Sequence, residues 1–123
     1  MKANELMVGD FVLLNGKPIK VSAVHNRKIG YHVSKTKMVF VFENAIQPIW
    51  ITQELLEKNG FNLMTLGQKQ YFRWSGSIFL CVSPHFFELF IDSISRKSKS
   101  YIMYLHELQH AFNWCDIKED WQV

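Results

Sequence analysis

Apolar and polar positions alternate with a period of two over residues 18–24, the signature of a half-buried strand, and short apolar runs joined by polar turns fill much of the rest of the first fifty residues. Phe11-Val12-Leu13-Leu14 is rich in strand formers, and Asn15-Gly16 supplies a tight hairpin turn because both residues tolerate positive φ. A second strand is predicted over residues 18–24, a third over 29–33, a fourth over 38–42 and a fifth over 45–51. Pro48 places the last one at an edge or bend. Five short strands in so few residues predict a small antiparallel β-barrel, which would leave no open edge.

The pattern then changes. Thr52 is a suitable N-cap for a short helix through Lys58, and Asn59-Gly60 stops it. Strands are predicted again over residues 70–74, 77–82 and 86–91, with a hairpin at Ser75-Gly76 and a basic, serine-rich loop over 96–100. Tyr101, Tyr104, Leu105, Leu108, Ala111, Phe112 and Cys115 recur at helical spacing, predicting an amphipathic helix over residues 100–114 capped by Ser100. The expected fold class is α+β: one compact unit over residues 1–123. It comprises a barrel subdomain (1–51) of the KOW or Tudor kind and an α+β subdomain (52–123).

Composition narrows the class further. The 123 residues are 48% hydrophobic and 20% charged, ordinary for a globular domain, and 15% aromatic, which suits a ring-rich core. The N-terminus shows no leader pattern, and no stretch reaches the roughly 18 apolar residues of a membrane span, so cytoplasmic residence without membrane contact is expected. Cys81 and Cys115 have no CxxC spacing and are expected to be free buried thiols.

Net charge is only +3, but it is unevenly spread. Lys17, Lys20, Arg27, Lys28, Lys35 and Lys37 face no acidic residue between Phe11 and Phe42, whereas the last twenty-odd residues are acidic. Those cations would contact nucleic-acid phosphates, with Tyr31, His32 or Phe40 stacking on bases. The bland alternative is a set of solvated lysines that discourage edge-to-edge aggregation.

One motif carries chemistry on paper. His106-Glu107-Leu108-Gln109-His110 fits H-E-x-x-H, in which two histidines one helical turn apart bind zinc and the glutamate acts as general base. Asp116 stands as a third ligand six residues on, with Asn113 at the turn position where metal proteases of this kind use glycine. At about 100° per residue both histidines fall opposite the Leu108 stripe. That placement serves zinc ligands and ordinary surface histidines equally. A pattern with three fixed positions also arises by chance, so surface histidines without a cofactor are the leading expectation. No glycine-rich phosphate loop or nucleophile motif is present.

The segments Asn4-Glu5-Leu6-Met7-Val8-Gly9-Asp10-Phe11-Val12, Pro48-Ile49-Trp50-Ile51-Thr52 through Asn59-Gly60-Phe61, and Tyr104-Leu105-His106-Glu107-Leu108-Gln109-His110 resemble a family of short uncharacterised proteins encoded in Bacteroides and related genomes. The resemblance implies carriage on a prophage or mobile element, and no activity, cofactor or site. The expected function is therefore a non-enzymatic protein-interaction or self-associating module. The aromatic runs at residues 71–74 and 86–90 are read as core or interface. Nucleic-acid binding ranks second and zinc-dependent hydrolysis third.

Overall fold

Asn15 and Gly16 both adopt left-handed backbone, with φ of 52° and 77°, and so set the first hairpin. In the computed structural model, which describes residues 1–75, 78–92 and 97–123, this turn joins β1 (Phe11–Leu14) to β2 (Lys17–Lys20). Phe11 lies opposite Lys20 and Leu14 opposite Lys17. The short β6 (Ile46–Gln47) pairs with the other side of β1, giving the order β2-β1-β6. A second sheet, β3-β4-β5, is built from Ala23–His25, Lys28–His32 and Met38–Phe42. Its first turn uses Asn26 at φ 54°.

These strands do not close into the expected barrel; they form two open three-stranded sheets. The predicted second strand breaks in two at Val21-Ser22, where the chain passes between sheets. There the Val21 N–H donates to the Asp10 carbonyl and the Ser22 N–H to the Gly30 carbonyl, isolated bonds rather than a ladder. The predicted fifth strand shrinks to two residues, because a 3₁₀ turn at Glu43–Ala45 precedes it and Pro48, lacking an N–H, follows. Closure is also unnecessary. The 3₁₀ turn at Ala3–Glu5 helps bring Ala3 and Leu6 into a core with Val12, Val21, Ile29 and Ile46.

The chain divides into Met1–Ile49 and Trp50–Val123, the boundary lying two residues before the one read from the sequence. The second unit opens with α1 (Gln53–Lys58), where Thr52 Oγ1 accepts the Leu55 N–H at 3.1 Å. Gly60 at φ 85° ends it. Five antiparallel strands follow: β7 (Asn62–Leu66), β8 (Lys69–Ser75), β9 (Ile78–Val82), β10 (Phe87–Asp92) and β11 (Lys97–Ile102). They form one meander in the order β11-β10-β9-β8-β7. β7 was not predicted, and residues 97–100, expected as loop, belong to β11. Gly76 of the expected hairpin and Arg96 of the expected loop lie outside the described residues.

α2 (Leu105–Trp114) starts five residues later than its pattern suggests, so Tyr104, not Ser100, holds the cap position. Leu105, Leu108 and Phe112 are fully buried, and Leu108 and Phe112 share a core with Phe72, Leu80, Leu89 and Ile102. Each such side chain contributes about 1.5–3 kcal/mol, so burial outweighs any single cap in holding the helix. Cys115, buried beside them, and the half-buried Cys81 are both free thiols. The fold is thus mostly antiparallel sheet with one longer helix near its C-terminal end, which replaces the expected α+β unit with a KOW- or Tudor-like barrel. Among the described residues, no helix is long and apolar enough to cross a membrane.

Candidate nucleic-acid interface

Antiparallel pairing puts directly opposed residues on the same sheet face. In β3-β4-β5 the pairs Ile29–Val41 and Tyr31–Val39 share one face, with Ile29 fully buried. The other face carries Lys28–Phe42, Gly30–Phe40 and His32–Met38, extended across β3 by His25 and Ala23. That face is open: Phe40 is 47% and Phe42 58% exposed, and Met38 is exposed as well.

Glycine shapes this surface. A Cβ on Gly30 would stand 2.9 Å from Met38 Sδ and 3.0 Å from Phe40 Cε1. Phe40 therefore lies down across Gly30 and presents its ring to solvent. Beside it, Lys28 Nζ sits 4.7 Å from the Phe42 ring centroid, a cation–π contact. His32 Nδ1 and Ser22 Oγ are 2.9 Å apart, which fixes that ring at the margin.

Not all the predicted cations gather here. Lys28 is on the face, and Lys35 and Lys37 are exposed in the loop that leads into β5. Lys17 and Lys20 are on β2 in the other sheet, with Lys20 Nζ 5.8 Å from the Phe11 ring centroid. Arg27 is committed elsewhere, its Nε donating to Glu43 Oε1 at 2.9 Å. Glu43 Oε2 also accepts the Ala3 N–H at 2.8 Å. That backbone bond, followed by Arg27, holds the Glu43 carboxyl below its ordinary value, so the pair persists as pH falls into the normal carboxylate range. Of the predicted stacking groups, Phe40 and His32 are on the open face and Tyr31 is on the opposite one. Sequence reading missed Phe42, Met38 and Gly30. The signal was present in Met38-Val39-Phe40-Val41-Phe42, whose bulky alternate positions share one side.

The H-E-x-x-H segment is used structurally. His106 is buried at 5% exposure, against the expectation of a solvent-facing ring, because the buried arc of α2 is wide enough to include it. Its ring lies 5.7 Å from Tyr104 in a stacked arrangement and 5.6 Å from the half-buried His110, nearly edge-on. Glu107 Oε1 accepts the backbone N–H groups of Met103 at 2.9 Å and Tyr104 at 3.0 Å. This is the acceptor half of a capping box at a helix start.

Asp116 does not join the histidines. It stands past the helix end at φ 57°, so the left-handed position is Asp116 and not Asn113. The Asp116 N–H donates to the Asn113 carbonyl and the Ile117 N–H to the Phe112 carbonyl, which together make a Schellman motif. Among the described residues, no three His, Cys, Asp or Glu side chains are grouped closely enough to hold a metal ion.

Comparison finds no family model, no curated protein and no solved structure that matches the chain.

Proposed function

We propose that the N-terminal unit binds single-stranded nucleic acid on the open face of β3-β4-β5. Bases stack on Phe40 and Phe42, and phosphates lie along Lys28, Lys35 and Lys37. The observation that carries this reading is the pair of exposed rings at alternate positions of one strand, with Lys28 across from them and Gly30 beneath Phe40. Alternate strand positions are about 7 Å apart. Successive phosphates in a stacked strand rise only about 3.4 Å, so bases on these rings must be splayed, as only an unpaired strand allows. The unit's charge supports the same ligand. Residues 1–49 hold seven basic and three acidic side chains, a net +4 that leaves −1 for residues 50–123.

Fluorescence anisotropy with labelled oligothymidylate tests this. Stacking on one ring is worth about 1–3 kcal/mol, so Phe40→Ala and Phe42→Ala should each weaken binding by about fivefold to a hundredfold. Lys28→Ala should lower the slope of log affinity against log salt by about 0.7. Duplex DNA binding as tightly as the single strand, or an affinity flat in salt, would refute the reading.

A further inference from the structure

β7 is an unguarded sheet edge. Among the described residues it pairs with β8 alone. Its outward N–H and C=O groups therefore face no strand, and their complement is another extended backbone. Natural edges are usually blunted by charge, proline or brevity. In this chain β2 carries Lys17, Pro18 and Lys20, β6 has two residues and β3 three, and the sequence of β11 contains Lys97 and Lys99. β5 is uncharged, but Val39 and Val41 are half-buried and Lys28 reaches over its Phe42. β7 reads Asn-Leu-Met-Thr-Leu, with all five residues exposed and no charge among them.

We infer that β7 is a self-association seam, pairing antiparallel with β7 of a second copy so that two five-stranded sheets become one. The strand is self-complementary. A two-fold axis at Met64 sets no charge against its like, and it places Leu66 of each copy opposite Asn62 of the other. Asn62 neighbours Arg73 on the sheet face that also holds Met64, Tyr71 and Phe79. Met64, Leu66, Tyr71, Arg73 and Phe79 line an apolar hollow of about 300 Å³ there. Leu66, 64% exposed in the single chain, thus comes to rest at the rim of its mate's hollow, and the reverse contact is made by symmetry. A five-residue edge falls short of the roughly 800 Å² per partner of a standard interface, so the dimer belongs to the weak, concentration-dependent class.

Sedimentation velocity of the full chain, from micromolar to millimolar concentration, should show monomers passing to dimers. Met64→Lys and Leu66→Lys place charge on exposed positions, and both should remain monomeric with unchanged circular dichroism. A cross-link reads the register without relying on those variants. In a Cys81→Ser background, Met64→Cys should form a disulfide-linked dimer on mild oxidation, because a central antiparallel pair has Cα atoms about 4.5–5.5 Å apart. Leu66→Cys should not, since the two copies of that residue are then separated by about 13 Å. A wild type that stays monomeric throughout overturns the inference. So does a dimer that survives both lysine variants, or one that cross-links at Leu66→Cys as readily as at Met64→Cys.

Discussion

Glu107 and Asp116 serve the two ends of α2. Glu107 Oε1 is held by two backbone N–H groups at the start of α2, and its charge lies where a helix dipole favours a carboxylate. Glu107→Ala should therefore cost about 1 kcal/mol in a urea melt, while Glu107→Gln, which keeps the acceptor, should cost less. Asp116 pays the steric penalty of left-handed backbone at a position that most helices give to glycine. Asp116→Gly should raise stability by about 0.5–1 kcal/mol in the same melt. A zinc ligand would behave in the opposite way: its loss would destabilise the metal-loaded protein, and chelator would abolish the difference between variant and wild type. Gain of stability on Asp116→Gly, with melts indifferent to chelator, marks the residue as a cap.

Elements were legible where one local signal dominated. Asn15-Gly16 specifies the β1–β2 hairpin, and Thr52 with Gly60 brackets α1, because turns and caps act through their own backbone. β7 was illegible because its side chains are exposed on both faces, so no alternation distinguishes in from out. The start of α2 was misplaced because Tyr101 and Tyr104 happen to match its helical stripe, although β11 runs through Ile102. Barrel closure failed for a different reason: strand count does not reveal where the backbone bonds go, and at Val21-Ser22 they divide between two sheets. The candidate face was half legible, with its cations visible as a charge run and its glycine silent. Gly30→Ala tests the role of that glycine. The atoms nearest the added methyl are the ends of the Met38 and Phe40 side chains, both of which can move outward. Alanine also suits a strand better than glycine by about 0.5–1 kcal/mol, so stability should change by less than about 1 kcal/mol. Oligothymidylate affinity should nevertheless fall several-fold, because the Phe40 ring no longer lies flat. Unchanged affinity would mean that the ring's posture is irrelevant to binding.

At the scale of the whole molecule, the two proposed surfaces belong to different units, each with its own core. The aromatic face is on the basic unit, and the β7 seam is on the other. Dimerisation through β7 would thus put two nucleic-acid faces in one assembly. Where the joined copies reach one strand together, binding a long strand becomes bivalent, and the second face meets it at an effective concentration of up to about millimolar. A short oligothymidylate that fills one face gains nothing from this. Met64→Lys should accordingly bind the short oligomer as the wild type does, and bind a strand several times longer at least about tenfold more weakly, measured where the wild type is dimeric. The outcome separates the two proposals. Equal loss on short and long strands would place Met64 in the nucleic-acid site itself. No loss on either would leave each face acting alone, because the joined copies cannot reach one strand together.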